Sequence, residues 1–245
     1  MTAPASTRPQ PLRKSSGSAP QAVIFDMDGV LLDSEPLHHC AANAVLAEDG
    51  QRPLSVAEYT RYLGRTDDDL WRDLRTVRDL GRPHEHYLER FDTYVLAEYR
   101  QHAIAAPGAV DLLDWLTDCG LPLAVASSSR AQWVKTCLHA IGLLPYFDRV
   151  VAGDMVARAK PDPEIYLLAA RQLRAQPTRC VVFEDSPAGV TAASRAGMYT
   201  IAVCTAYTPP GLAQGAHFTV NSLAEVSRAL RGRTLARSAH RGPSG

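Results

Sequence analysis

The 245-residue sequence has no net charge, since 26 Lys and Arg residues balance 26 Asp and Glu residues. Such a chain offers no overall attraction to nucleic acid or to an acidic membrane surface, and no basic cluster stands out in the part predicted to fold. The sequence also lacks the GxxxxGK and GxGxxG motifs that hold nucleotide phosphates after a strand. We therefore expect a small-molecule ligand, with no nucleic-acid partner and no membrane partner.

Cysteine is scarce, and its residues do not form CxxC pairs. An odd number of cysteines, mostly in apolar stretches, argues against a disulfide framework and against a zinc site. Residues 1–20 contain several prolines among Ser, Thr and Arg but lack the apolar segment of a secretory signal. We expect a disordered N-terminal tail over residues 1–20 and a cytoplasmic protein, although a processed organelle-targeting segment has a similar composition. The five cysteines are Cys40, Cys119, Cys137, Cys180 and Cys204.

A short apolar run over residues 22–25 is rich in β-branched and aromatic residues, as is typical of a strand buried on both faces. Asp26 and Asp28 follow it directly, and side chains two positions apart on an extended segment point to the same side. A calcium EF-hand is excluded, because its sixth and twelfth positions would hold Leu31 and Leu37 instead of Gly and an acid. An ordinary polar turn is the other interpretation of the two acids.

The composition, with 46% hydrophobic and 21% charged residues, suits one sizeable core plus an inserted module. Residues 37–103 show helical spacing of apolar residues and no strand pattern, which predicts a helical insert. From residue 104, short apolar strands alternate with helices, which predicts an α/β fold with a doubly wound, mostly parallel sheet. We expect an α/β catalytic core over residues 21–36 and 104–230, the helical insert over 37–103, and a second disordered tail over 231–245.

Polar residues follow four of the predicted strands or the loops after them. Each one alone has an ordinary explanation as a helix cap, a turn residue or a surface charge. In a parallel sheet, however, the carboxyl ends of the strands meet at one edge, where ligands bind. We therefore predict that one site at this edge is built from Asp26, Asp28, Ser127, Ser128, Lys160, Glu184 and Asp185.

Taken in order, these motifs resemble a known family. The stretch from Asp26 to Val30, Ser127 at a strand end, Lys160 before Pro-Asp-Pro, and Glu184-Asp185-Ser-Pro are similar to the four signature motifs of the haloacid dehalogenase (HAD) superfamily. The resemblance extends over about residues 21–230 and implies a HAD-like, Rossmann-type core. The helical insert is similar to the small α-helical cap of the subgroup that holds β-phosphoglucomutase and sugar-phosphate phosphatases.

The resemblance implies a magnesium-dependent phosphatase that acts on a small phosphorylated metabolite, as a monomer or weak homodimer. Asp26 would be the nucleophile that forms a phosphoaspartyl intermediate, and Asp28 would be the general acid and base. Phosphate would be bound by Ser127, Ser128 and Lys160. A magnesium ion would be held by Asp26, Asp28, Glu184 and Asp185.

Substrate choice would come from the cap, where the candidates are His38, Arg65 and Arg90. A surface position is the alternative interpretation of each. The mutases of the subgroup carry an Arg where this sequence has Asp67, and a mutase needs a cation for the second phosphate of its substrate. This departure favours a phosphatase over a phosphomutase, because acids oppose a second phosphate.

Two further readings are retained as alternatives. A C–halogen hydrolase is disfavoured because such enzymes need no metal, whereas Asp28, Glu184 and Asp185 are all present. A catalytically silent phosphate-binding module is disfavoured because neither the nucleophile nor a metal acid is missing.

Overall fold

The computed structural model describes residues 19–205, 208, 212 and 214–239, with the backbone alone over residues 232–239. Apart from its last two residues, the predicted N-terminal tail therefore lies outside the described residues. None of the described helices is long and apolar enough to span a bilayer.

A six-stranded sheet forms the centre of the protein, and every neighbouring pair of strands is parallel. This confirms the predicted α/β fold with a parallel sheet. The strands are β1 Ala22–Phe25, β2 Leu123–Ala126, β3 Arg149–Val151, β4 Cys180–Glu184, β5 Tyr199–Val203 and β6 Phe218–Val220. Their spatial order is β3-β2-β1-β4-β5-β6, so β1 lies between β2 and β4. Strand β6, which is only three residues long and partly exposed, was not predicted from the sequence.

Helices connect the strands and form the insert. The insert contains α1 Glu35–Glu48, α2 Val56–Tyr59, α3 Asp67–Val77 and α4 His84–His102. The core contains α5 Ala109–Asp118, α6 Ala131–Ala140, α7 Glu164–Gln172, α8 Pro187–Arg195 and α9 Leu223–Ala239. Short 3-10 helices span Thr60–Tyr62, Leu144–Tyr146, Gly153–Met155 and Pro177–Arg179.

The sheet is covered on both faces, which explains why its strands are continuously apolar. Val23 and Phe25 of β1 lie in a cluster with α5, α6 and α9. Ala22 and Ile24 point to the opposite face and pack with α7 and α8. The alternation of side chains along β1 thus assigns each residue to one of two helical layers, and no residue of the strand contacts solvent.

The helical insert, which we call the cap, packs against the same cluster as the first helical layer. Trp133 of α6 contacts the cap from the core. Its ring lies 5.8 Å from Phe91 of α4 and 5.4 Å from His38 of α1, measured between ring centroids. The two chain segments between cap and core run side by side, and the Ala106 amide donates to the Leu31 carbonyl at 2.7 Å.

The C-terminal helix corrects one prediction. A disordered tail was predicted from residue 231, whereas α9 continues to Ala239. Residues 231–239 are mostly Arg, Leu and Ala, which favour a helix, and the single Gly232 costs only about 1 kcal/mol relative to Ala. The remainder of that predicted tail, residues 240–245, lies outside the described residues.

Candidate active site

The carboxyl ends of β1, β2 and β4 bring the predicted residues together. Because β1 is central, Asp26 and Asp28 after it lie beside Ser127 at the end of β2 and Glu184 at the end of β4. Asp26 is buried, with only 6% of its surface exposed. Lys160 reaches the same place from the long loop after β3. The topology of a parallel sheet thus assembles residues that are far apart in sequence.

Lys160 is the positive charge of the site. Its ammonium group donates to Asp26 Oδ1 at 2.5 Å, to Glu184 Oε1 at 2.7 Å and to the Ala126 carbonyl at 3.0 Å. The ammonium also lies 4.9 Å from the centre of the Tyr166 ring. Burial alone would lower the pKa of Lys160, but the two carboxylates hold it well above its ordinary value. Lys160 therefore stays charged and fixes one oxygen of Asp26.

Glu184 is fully buried and uses both of its oxygens inside the protein. Oε1 accepts from Lys160 and, at 2.8 Å, from the Tyr166 hydroxyl, while Oε2 accepts from the Ser186 amide at 2.9 Å and the Ser186 hydroxyl at 3.0 Å. Burial alone would raise the pKa of Glu184, but Lys160 and these hydrogen bonds hold it below its ordinary value. Through these contacts Glu184 orients Lys160 and the turn into α8, and its role as a metal ligand stays a prediction.

Asp185 packs against the backbone of Gly29, which has a positive φ of 73°. A Cβ at Gly29 would lie 1.9 Å from Asp185 Oδ2, so only glycine leaves room for this carboxylate. Within the described part of the chain, no hydrogen-bond donor reaches the Asp185 carboxylate. A partly buried carboxylate without a donor is costly unless it is protonated or a cation is bound.

The charges of the site are unbalanced without a further cation. Burial raises the pKa of Asp26 to about 8, even though Lys160 opposes the rise. Burial and the neighbouring carboxylates raise the pKa of Asp185 to about 9. Four carboxylates thus share one ammonium group, and the two acids with raised pKa values carry oxygens that are free to bind a cation.

These residues fit a magnesium ion held by few protein ligands. The described residues contain no cluster of three or more His, Cys, Asp or Glu side chains that could hold a metal. Magnesium commonly takes one or two carboxylates, with water and substrate phosphate completing its shell. Asp26 and Asp185 would supply two hard oxygen ligands, and the backbone carbonyl of Asp28, also a predicted ligand, would be a third.

Asp28 turns its carboxylate toward the serine run after β2. Its Oδ2 accepts from Ser129 Oγ at 2.8 Å and from Ser127 Oγ at 3.2 Å. Ser127 Oγ also accepts from the Ser129 amide at 3.0 Å. Ser128, predicted to bind phosphate, is exposed. Sequence reasoning missed Ser129, although the run of three serines after a strand could have indicated it.

Besides Ser129, one residue of the cap reaches the site without having been predicted from the sequence. Tyr99, in the last turn of α4, is fully buried, and its hydroxyl lies 2.7 Å from His38 Nε2 and 3.5 Å from Asp28 Oδ1. His38, a predicted substrate residue, is therefore close to the catalytic edge. Tyr99 follows Asp28 by 71 residues, and its helical position alone carries no sign of this contact.

A pocket opens in the cap next to this contact. Its lining includes Glu35, His38, Arg65 and Asp67. Arg65 is exposed and pairs with Asp73 at 2.7 Å. Burial raises the pKa of Asp67, against the opposing charge of His38. The predicted substrate residues His38 and Arg65 thus line one pocket, together with two acids.

Arg90, the third predicted substrate residue, lies elsewhere. Its guanidinium pairs with Glu48 of α1 and stacks on the Tyr94 ring at 5.1 Å. It is not part of the pocket lining. Arg90 therefore links two cap helices and does not line the cap pocket.

Comparison with known proteins agrees with this geometry. A family model described as haloacid dehalogenase-like hydrolase matches residues 20–197. A phosphorylated carbohydrates phosphatase of Thermotoga maritima is 35% identical over 181 residues, which cover 74% of this chain and 83% of the relative. A fructose-1-phosphate phosphatase of Escherichia coli is 34% identical, covering 74% of this chain and 95% of the relative. The crystal structure of a putative β-phosphoglucomutase from Thermotoga maritima is 32% identical with a TM-score of 0.77, covering 86% of this chain and 99% of that one.

Proposed function

Because this chain belongs to the haloacid dehalogenase-like hydrolases and is a phosphoric monoester hydrolase, we propose that it is a magnesium-dependent phosphatase that works through a phosphoaspartyl intermediate. Its substrate is a singly phosphorylated, polyhydroxylated small molecule. The observation that carries the proposal is the pairing of buried Asp26 with Lys160 at 2.5 Å, at the end of the central strand. This contact offsets the negative charge of the Asp26 carboxylate, which a phosphate must approach.

In the first step, an Asp26 oxygen attacks the phosphorus and forms an O–P bond while the bond to the leaving oxygen breaks. Asp28 gives its proton to the leaving alcohol, which departs neutral. In the second step, water attacks the phosphorus of the aspartyl phosphate and gives a proton to Asp28. The O–P bond to Asp26 breaks, so inorganic phosphate is released and both acids return to their starting states.

Lys160 and the serine run provide the electrostatic support that the chain itself can supply. Lys160 lies within reach of a phosphoryl oxygen on Asp26, and Ser127 with the backbone amides after it would hold the others. When bound at Asp26 and Asp185, magnesium would supply the positive charge that lets a carboxylate approach a phosphate. Glu184 acts indirectly, because it holds Lys160 in place through a hydrogen bond to the ammonium group.

The pocket supports a substrate with one phosphate. Of the three consecutive acids at the start of α3, only Asp67 lines the pocket. The other two form ion pairs outside it, Asp68 with Arg72 and His84, and Asp69 with Arg72. An ionised Asp67 about 4 Å from a second phosphate would repel it by roughly 4 kcal/mol at an effective dielectric constant of 20, an interaction that Arg65 in the same lining would partly offset. Hydroxyl groups, in contrast, can donate to acids in the pocket.

The relatives' names agree with this class of substrate. They name phosphorylated carbohydrates and fructose 1-phosphate, and the second of these carries one phosphate. A phosphomutase is the second candidate, because the fold is also similar to that of a putative β-phosphoglucomutase. Asp67 argues against it for the reason given above.

Replacement of the nucleophile tests the reaction. Asp26→Asn should abolish phosphate release from a panel of sugar phosphates, sugar-alcohol phosphates, glycolate phosphate and nucleoside monophosphates, while Asp118→Asn, on an exposed helix end, should leave it unchanged. A chelator should stop turnover, and added magnesium should restore it. Turnover by the Asp26 variant, or in excess chelator, would overturn the mechanism.

A separate assay decides between phosphatase and mutase. The protein is incubated with β-glucose 1-phosphate and a trace of glucose 1,6-bisphosphate, and both products are measured. We expect release of inorganic phosphate to exceed formation of glucose 6-phosphate. Rapid formation of glucose 6-phosphate with little inorganic phosphate would assign the mutase reaction instead.

A further inference from the structure

The Asp28 carboxylate is held from two sides, one in the core and one in the cap. From the core, Ser127 and Ser129 donate to Oδ2. From the cap, the Tyr99 hydroxyl faces Oδ1 at 3.5 Å. Among the described residues, no other side chain reaches Oδ1, so the hydrogen bond available to this oxygen comes from α4 of the cap.

Tyr99 is itself held firmly. Its ring is buried between cap and core, 6.4 Å from the Trp133 ring of α6 between centroids, in an edge-on arrangement. Its hydroxyl lies 2.7 Å from His38 Nε2. A hydroxyl accepts and donates at once, so His38 can donate to Tyr99 while Tyr99 donates to Asp28. A phenol is protonated at neutral pH, so Tyr99 keeps the proton that it donates.

The distance from Tyr99 to Asp28 is at the long limit of a hydrogen bond. A cap movement of under about 1 Å would bring it to the ordinary O–H···O distance of roughly 2.7–2.8 Å, and an opposite movement would break it. His38 also lines the substrate pocket. A ligand that contacts His38 is therefore linked through Tyr99 to Asp28.

We propose that Tyr99 is a positioning residue for Asp28, which aims the acid at the leaving oxygen only when the cap is seated on the core. This inference rests on the proposed function, because it takes Asp28 as the proton donor. Protonation of the leaving group is then coupled to cap position through the chain His38, Tyr99, Asp28. A phosphoryl group that enters without a seated cap meets the nucleophile but a poorly aimed acid.

The test uses Tyr99→Phe, which removes one oxygen and keeps the ring. The variant and the wild type are compared by kcat/KM, which reports the steps up to the first irreversible one, on 4-nitrophenyl, 4-chlorophenyl and phenyl phosphate and on fructose 1-phosphate. Good leaving groups need no acid. We expect a loss within about twofold for 4-nitrophenyl phosphate and of about tenfold or more for fructose 1-phosphate, with phenyl phosphate between them.

Tyr87→Phe is the matched control. Tyr87 is also a buried tyrosine of α4, and its hydroxyl donates to a carboxylate, Asp49, at 2.5 Å, away from the site. This variant should be equally active, relative to wild type, on every substrate in the series. A second variant, His38→Leu, removes the group behind Tyr99 and should show the same leaving-group trend with a smaller slope.

The outcomes separate the two proposals. An equal loss on all substrates, or no loss, in Tyr99→Phe would overturn the positioning role while leaving the phosphatase intact. If Tyr99→Phe does not fold, the slope in His38→Leu decides, and a flat slope there overturns the role. Activity of Asp26→Asn would instead overturn the proposed function.

Discussion

Replacement of Gly29 by Ala should separate the effect of Asp185 placement on activity from the effect of backbone strain on stability. Gly29 has a φ of 73°, and an added Cβ would lie 1.9 Å from Asp185 Oδ2. Ordinary contact begins near 3.4 Å, so the carboxylate must move by roughly 1.5 Å. The substitution therefore displaces a proposed magnesium ligand without changing a charged residue.

Two effects add up in this variant. A residue with a Cβ in the left-handed region costs roughly 1–2 kcal/mol of stability. Misplacement of a catalytic group by about 1 Å can cost roughly a hundredfold in rate. We therefore expect Gly29→Ala to lose about a hundredfold or more in kcat/KM and to bind magnesium more weakly, while its free energy of unfolding falls by only about 1–2 kcal/mol.

Gly142→Ala is the control for the backbone cost. Gly142 has a φ of 72°, nearly that of Gly29, but no atom lies within 4 Å of its added Cβ. Urea denaturation should show similar losses of stability in the two variants. Phosphate release and calorimetric titration with magnesium should show a large effect for Gly29→Ala and an effect within about twofold for Gly142→Ala. If both variants kept similar activity, the placement of Asp185 against Gly29 as a magnesium ligand would be refuted.

Three further predictions concern charged residues. Glu184→Gln should lower the free energy of unfolding by about 3 kcal/mol in urea denaturation, because Lys160 loses a buried charged partner. Tyr166→Phe removes one hydrogen bond to the same Glu184 oxygen and should lower it by only about 1 kcal/mol. Equal losses in the two variants would contradict the role of Glu184 as the partner of Lys160. Asp185→Asn should leave the melting temperature without magnesium unchanged, because a pKa of about 9 already keeps Asp185 neutral at pH 7. The increase in melting temperature on adding magnesium should disappear in this variant, since a ligand of the ion is lost. An increase that persists would exclude Asp185 as a magnesium ligand. Arg90→Ala should change stability by under about 1 kcal/mol and leave kcat/KM unchanged, and a lower kcat/KM would return Arg90 to the substrate site.

The arrangement of acids at one sheet edge could be predicted from the sequence. A run such as residues 22–25 is apolar at every position because both faces of a parallel strand are covered, and polar residues can follow only where the strand leaves the core. Asp26, Ser127, Lys160 and Glu184 were therefore predicted near one another, and the parallel fold that does this is confirmed.

The direction in which each side chain points could not be predicted. In the sequence, Glu184 is a carboxylate at a strand end and was predicted to be a metal ligand. In the structure, its oxygens accept hydrogen bonds from Lys160, Tyr166 and Ser186. Arg90 could equally have faced the pocket, but it lies opposite Glu48 of α1. The partner of a carboxylate or a guanidinium depends on how separate helices and strands pack together. Local sequence patterns do not predict that packing.

The contact between Tyr99 and Asp28 is decided by tertiary structure alone. Helical spacing in the sequence predicts which residues of α4 are buried, because the period of 3.6 is a local property of the chain. Whether a buried tyrosine meets a lipophilic neighbour or a catalytic carboxylate depends on how the cap sits on α6, through the contact of Trp133 with Phe91 and Tyr99. Local patterns fix what each element can bury, and the long-range docking of elements fixes which groups meet.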